Sequence, residues 1–493
     1  MNSQAVSHFD LQSAALETMK EHGFQPDFSP EAQKQVQAIQ HEARPLSSGG
    51  DVRDLRSLLW SSIDNDTSRD LDQIEYAEKL PDGNIRVMIG IADVDASVPK
   101  GSPLDQHAAR ETTSVYTGVR IFPMLPEPLS TDITSLLEAG DRMAFVTEFT
   151  VSPGGDVSGN SLYPAIVHNR AQLAYNAVGA WLEGSGDAPA KVAALPELQA
   201  QLKLQSETAQ KLRDERYRHG ALNIETIETH PVFLKEEIVD IERQQKNLAT
   251  ELIEDFMIAA NGVVARSIAA AQWPSIRRIV KTPKRWERIV ELAAQLGVTL
   301  PAVADSQALN QFLIKQREAD PDHFPDLSLA VIKLMGPGEY VVEGPGQQSD
   351  GHFGLAVQDY THSTAPNRRF ADLATQRLLK ALAAGAKCPY STEELTQIAT
   401  DCTLREDQSR KVEREMQKRI AAVAMSGRIG ETFAAIVTGV NEHGTFVRAL
   451  RPHMEGMLVQ GREGADVGDR MTVKLVKTDP RRGFLDFVRT SAR

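Results

Sequence analysis

Cysteine is nearly absent: the 493 residues contain two, Cys388 and Cys402. With no further pair available, a disulfide framework and a cysteine zinc site are excluded, and a reducing, cytoplasmic setting fits. Long apolar runs are also missing. The most apolar stretch, FMIAANGVVARSIAAA, carries Arg266, so no segment reads as a membrane span. The start, MNSQAVSHFDLQ, has no apolar signal core. Positive charge is scarce: 54 Lys and Arg face 67 Asp and Glu, for a net charge of -13. That excludes a generally basic nucleic-acid binder. Any contact with nucleic acid must come from local basic patches or an interior channel. The 41% hydrophobic content suits globular domains with sizeable cores, and the length allows about two to four of them.

What the chain does have is a dense acidic loop. SSIDNDTSRDLDQIEYAE holds Asp64, Asp66, Asp70 and Asp72 between LRSLLWSSI and the strand-like IRVMIGIADV. Like charges packed between core-forming segments need a positive partner, most simply a hard cation such as magnesium with oxygen ligands. Two other readings compete. One is a solvated turn whose aspartates cap backbone amides. The other is a calcium loop of EF-hand type, since Asp64, Asp66, Ser68, Asp70, Asp72 and Glu75 fall at the ligand positions. Against that one, Arg69 stands where the loop needs glycine, and the exit runs into Pro81, Asp82 and Gly83 rather than a second helix.

Residues 1–50 read as a helical N-terminal region. FDLQSAALETMKEHGF and FSPEAQKQVQAIQHEA have helical spacing, and LSSGG follows as a linker. A packing element is the simpler role for it, and a winged-helix remnant touching substrate the alternative. Beyond it come a helix around Pro103–Thr113 and then TSVYTGVRIFPMLPEPLS, whose prolines predict a rigid extended loop. MAFVTEFTVSPGGDV and LYPAIVHNRAQL predict strands around a Gly-Gly turn. ETHPVFLKEEIVDIERQ predicts a strand, then a strand or helix start. Helical spacing continues over 195–219, 246–271, 283–297, 306–318 and 391–427. SIRRIVKTPKRWER is dense in Lys and Arg, which by default marks a solvated face. From 431 on, short alternating strands with glycine turns predict a small OB-type barrel, a frequent platform for single-stranded nucleic acid.

A second chemical signal lies at 351–382. HFGLAV predicts a strand, THSTAPN a turn, and Arg368, Arg369, Asp372 and Arg377 follow on a helix. Arginines at a helix N-terminus suit phosphate, because the guanidinium binds oxygens bidentately and the helix end adds amide donors. A structural Arg–Asp pair would explain one of the two adjacent arginines but less easily both.

Taken together, DNDTSRDLD, HAARETTSVYTGVRIFPMLPEPLS, LIEDFMIAANGVVA, GHFGLAVQDYTHSTAPNRRFADLATQR and the helix KVERE before a C-terminal barrel resemble the ribonuclease II / ribonuclease R (RNB) family. The likeness runs over roughly residues 51 to 493. It implies an α+β fold: an RNB catalytic core at 51–427, built from a mixed sheet and surrounding helices, and an RNA-binding OB-type barrel at 428–493. It further implies a magnesium-dependent, processive 3′-to-5′ exoribonuclease that hydrolyses single-stranded RNA to nucleoside 5′-monophosphates, uses one or two ions with manganese as a substitute, and acts as a monomer without a membrane. By the same resemblance Asp64, Asp70, Asp72 and Gln73 are metal positions. Asp72, Asp70 and Arg368 are catalytic, and Tyr116, Arg368, Arg369 and Glu413 contact RNA.

The sequence departs from the family pattern at two places near the site. Gln73 stands where the family has a fourth aspartate; its amide oxygen can ligate but brings no charge, and Asp66 is a substitute donor. Asn367 replaces an isoleucine before the arginine pair. The family's N-terminal cold-shock domains have no counterpart in the fifty residues before the core. Two other classes of function are therefore carried forward: an RNA-binding protein of this fold that has lost catalysis, with Gln73 as the lesion, and a calcium-binding regulatory protein.

Overall fold

A computed structural model describes residues 9–41, 51–225, 228–234, 237–244, 246–321 and 323–490. The expected LSSGG linker lies outside them. The run IRVMIGIA becomes the strand Ile85–Ala92, buried on both faces. Val87, Ile89 and Ile91 enter one apolar cluster, while Met88 and Ala92 enter another. A strand with two dry faces needs cover on each. Helices Pro196–Arg218 and Leu248–Ala270 cover the first face, and Phe370–Ala383 covers the second.

The sheet has six strands in the order Arg53–Asp54, Val157–Ala174, Trp60–Asp64, Gln73–Lys79, Ile85–Ala92, Asp141–Val151. Val157–Ala174 pairs parallel with Trp60–Asp64 and antiparallel with Asp141–Val151, which bonds the last strand back to the second. This mixed sheet with flanking helices is the expected α+β core. The aspartate loop is the connection from Trp60–Asp64 to Gln73–Lys79, so it joins two strands and not two helices. That removes the EF-hand reading.

The expected helices form at Pro103–Glu111, Pro196–Arg218, Leu248–Ala270, Trp286–Gln295, Ser306–Ala319 and Thr392–Ala424. A further helix, Phe324–Met335, starts with Pro325 in its first turn, where the missing N–H costs nothing. ETHPVFLKEEIVDIERQ forms the antiparallel pair Glu228–Leu234 and Glu237–Gln244. Three expectations are corrected. HFGLAV is not a strand but a short 3-10 turn, Phe353–Leu355, because the His352 ring accepts the Leu355 N–H and Ala356 turns left-handed at φ 51°. The proline-rich loop is not wholly extended. Its prolines come after a small hairpin, Val115–Tyr116 with Ile121–Phe122, turned at Gly118 with φ 82°. The Lys/Arg-dense segment is also not a solvated face throughout, because Ser275–Ile279 is a buried strand whose arginines are neutralised: Arg277 pairs with Glu343 and Arg278 with Glu406, while Lys281 pairs with Glu339 and Arg288 with Glu291.

At the C-terminal end, five strands close a barrel in the order Thr432–Asn441, Gly444–Leu450, His453–Gln460, Phe484–Arg489, Arg470–Asp479. Phe433, Val447, Leu475 and Phe487 fill it. Its Arg448 reaches the helix Phe324–Met335 through a two-pronged bond to Asp326, at 2.6 and 2.8 Å. At the other end of the chain, helix Leu11–Glu21 and the residues after it pack Ala15, Met19 and Phe24 onto Val115, Phe122, Val412 and Met416. Among the described residues no helix is long and apolar enough to cross a membrane.

Candidate active site

The aspartate loop is pinned from below. Ser135 accepts the Leu71 N–H at 2.9 Å and donates its hydroxyl to the Arg69 carbonyl at 2.6 Å. Gln172 donates to the Ser68 carbonyl. These bonds hold the charged loop at the end of the two strands it joins, against the mutual repulsion of its carboxylates. Asp64 ends its strand, and its Oδ1 accepts from the Asn65 N–H at 2.7 Å and the Ser68 hydroxyl at 2.8 Å. Asp66 is exposed. Asp70 accepts the Tyr116 hydroxyl at 3.2 Å.

Asp72 is the buried member, 2% exposed. Its Oδ1 accepts the Asn367 N–H at 3.1 Å, and its Oδ2 faces the Arg368 guanidinium at 3.3 Å. Burial pushes its carboxyl up to about 7, against the downward pull of Arg368 and the Asn367 amide. Burial likewise raises Asp64, with Asp70 adding to the shift and Arg368 opposing it. A single guanidinium therefore does not offset the desolvation of this loop.

Tyr116 and Arg368 arrive together because their backbones are joined. Ser114 N–H donates to the Arg368 carbonyl at 3.0 Å, and Phe370 N–H to the Thr112 carbonyl at 2.8 Å. Thr112 takes a left-handed φ of 59° where helix Pro103–Glu111 ends, a costly conformation for a β-branched residue and one that recurs at functional sites. Glu413, on the long helix Thr392–Ala424, brings its Oε1 to 3.4 Å from the Tyr116 N–H. A cavity of about 170 Å³ opens among Tyr116, His362, Arg368, Arg369, Glu406 and Glu413.

The adjacent arginines separate. Arg368 keeps 43% of its side chain exposed beside Asp72. Arg369 turns inward and binds Asp372 Oδ1 at 2.7 Å. Gln73 is buried at the first position of its strand, directly after Asp72.

All four proposed donors offer oxygen, the ligand type of hard divalent cations. Among the described residues no three His, Cys, Asp or Glu side chains converge as a ready ligand set; Asp64, Asp70 and Asp72 each already hold the partners named above. The fit to a cation shows elsewhere. Glu75 is fully buried, and among the described residues neither of its carboxyl oxygens has a hydrogen-bond partner. Asp64 is the charge that most raises its pKa after burial itself. Tyr175, whose hydroxyl burial also raises, lies near both carboxyls. Sequence reading missed Glu75 as an inward-facing acid. The signal was available in its spacing from Gln73, two residues along one strand.

The RNB domain family matches residues 52–385, and the RNase II-type exonuclease C-terminal S1 domain matches 431–490. Ribonuclease R of Escherichia coli (strain K12) is 32% identical, over 88% of this chain and 54% of that protein. Ribonuclease R of Thermotoga maritima is 31% identical, over 94% of this chain and 68% of that protein. The chain thus spans about half to two thirds of the length of these relatives. Among solved structures, the apo form of Mycoplasma genitalium RNase R superposes with a TM-score of 0.84 at 23% identity, over 98% of this chain and 78% of that one. The chain belongs to the RNB-domain family and carries an RNase II-type S1 domain at its C-terminal end.

Proposed function

We propose that this chain is a hydrolytic 3′-to-5′ exoribonuclease that works processively on single-stranded RNA and releases nucleoside 5′-monophosphates. The observation that carries this reading is the buried Asp72 carboxyl held between the Asn367 amide and the Arg368 guanidinium, within reach of the Tyr116–Asp70 pair. Asp64, Asp70, Asp72 and Gln73 would hold one or two magnesium ions, with manganese as the substitute. Such an ion, when bound, would supply water activation and neutralisation of phosphate charge.

The chain's own groups do the rest. Arg368, half in solvent, meets the equatorial oxygens of the scissile phosphate as charge grows on them. Tyr116 stacks on the terminal base, worth about 1–3 kcal/mol, and Glu413, beside Tyr116, wedges between bases in the same cavity. Arg369 lines the same cavity as a further RNA contact, with its guanidinium held by Asp372. Water attacks phosphorus, the bond to the neighbouring 3′-oxygen breaks, and that oxygen takes a proton. The products are a nucleoside 5′-monophosphate and an RNA one nucleotide shorter with a free 3′-hydroxyl. We also propose the division 1–50, 51–427 and 428–493, since the barrel keeps its own apolar cluster, and a monomer as the working unit.

Gln73 favours one second reading, an RNA-binding protein without catalysis. The deciding experiment follows a 5′-labelled single-stranded RNA on a denaturing gel, with magnesium or EDTA, using wild type and Asp72→Asn. The expected result is a ladder shrinking to a short end product, dependent on magnesium and absent in the variant. RNA retained in a native gel but left intact would favour the binding-only reading.

A further inference from the structure

Glu75 lies outside the machinery just described, and its surroundings ask for a positive group. It pairs across the sheet with Ser61, whose hydroxyl is also buried without a partner. Cross-strand partners point to one face. Gln205, on the covering helix Pro196–Arg218, donates to the Glu75 backbone carbonyl at 3.4 Å and leaves its own Oε1 without a partner. Among the described residues, four buried oxygens on neighbouring groups are thus unsatisfied. Native interiors do not leave such clusters unless a water or an ion fills them.

The strand gives the direction. Gln73, Glu75 and Ala77 are at alternate positions, and Ala77 belongs to the cluster under the covering helices. Gln73 and Glu75 therefore look out from the same face. Asp64 ends the neighbouring strand, with its two hydrogen bonds on Oδ1. A buried carboxylate is costly unless it is paired or bound to a metal, and glutamate has one more methylene of reach than aspartate.

Building on the reading above, we infer that Glu75 is an additional ligand of the divalent cation, supplying from the Gln73 face the carboxylate charge that the Gln73 amide does not bring. The chain would hold its ion between Glu75 and Asp64 at the end of the neighbouring strand, next to Asp72 and Asp70.

The test uses the full chain and manganese as the probe. Binding of Mn²⁺ is titrated by the electron paramagnetic resonance of the free ion, and melting temperatures are recorded with and without the metal. The proteins are wild type, Glu75→Gln, Glu75→Met and Asp72→Asn. Glu75→Gln and Glu75→Met are expected to weaken Mn²⁺ binding about tenfold or more. Without metal they should melt no lower than wild type, because they remove an unpartnered buried acid. Binding within twofold of wild type in both variants would overturn the inference. So would a lower metal-free melting temperature in both, which would make Glu75 a structural group. If Asp72→Asn loses Mn²⁺ while both Glu75 variants keep it, the inference falls and the proposed function stands. If wild type binds no Mn²⁺, both fall.

Discussion

Arg368 and Arg369 are chemically identical and adjacent, yet their surroundings give them different work. Arg368 is half exposed beside Asp72, whereas Arg369 is bound to Asp372, which is itself fully buried. Arg368→Ala should therefore cost catalysis, on the order of 10²–10³ in kcat as for the loss of one charge-stabilising donor, with little change in melting temperature. Arg369→Ala should do the reverse. It strands the Asp372 carboxylate in the interior, a loss of about 3–5 kcal/mol, visible as a lower urea midpoint. Measuring kcat and the midpoint for both variants separates the roles; equal effects on both quantities would refute the division. Asp72→Asn keeps an acceptor for the Asn367 amide but removes the charge, so RNA should still bind in a native gel while hydrolysis is lost. The sequence showed that one arginine of the pair could be structural, but not which one. That choice depends on Asp372 one turn ahead and on a loop almost three hundred residues away.

The elements of the N-terminal region act on the site through packing. Met19 and Phe24 sit against Val115 and Phe122, the residues flanking Tyr116 in its hairpin, and Gln12 donates to the Val119 carbonyl at 2.8 Å. The same helix packs on Val412 and Met416, beside Glu413. Residues 9–24 thus hold two of the proposed RNA contacts in register. Met19→Ala leaves a hole there, at a cost of about 2–5 kcal/mol. Amide exchange over 113–122 should quicken, and KM for RNA should rise more than kcat falls. Unchanged exchange in that segment would show that the hairpin stands without the helix. Helical spacing made these elements legible in the sequence. Their use was not, because an amphipathic face carries no address for its partner.

Across the whole molecule, acid should be more damaging than the abundance of carboxylates alone would suggest. His107 and His352 are held down at about 4, chiefly by burial, and His362 is held well below its ordinary value for the same reason. Their Nδ1 atoms face the Arg110 guanidinium at 2.9 Å, the Leu355 N–H at 3.1 Å and the Tyr340 hydroxyl at 2.8 Å. Free histidine titrates near 6.5. Below that value the unfolded chain binds protons that the folded chain refuses, so stability is lost as pH falls from about 6.5 through 4. These histidines should lower the urea midpoint between pH 7 and pH 5, while the raised Asp72 carboxyl works in the opposite direction. His352→Asn, which keeps an acceptor for Leu355, should drop less; an equal drop would place the effect elsewhere.

The sequence by itself determined most of the strands and helices, the acidic loop between two core segments, the C-terminal barrel and an arginine-led helix suited to phosphate. These follow from local periodicity and from charge that cannot be buried unopposed. Only the tertiary structure decided which arginine faces Asp72, that the HFGLAV run turns instead of extending, that Glu413 lies beside Tyr116, and that Glu75 is buried with nothing to bind. Each of these depends on which face of a strand or helix meets a distant segment. Backbone period fixes which residues share a face, but the partner that face meets is chosen by packing over the whole chain.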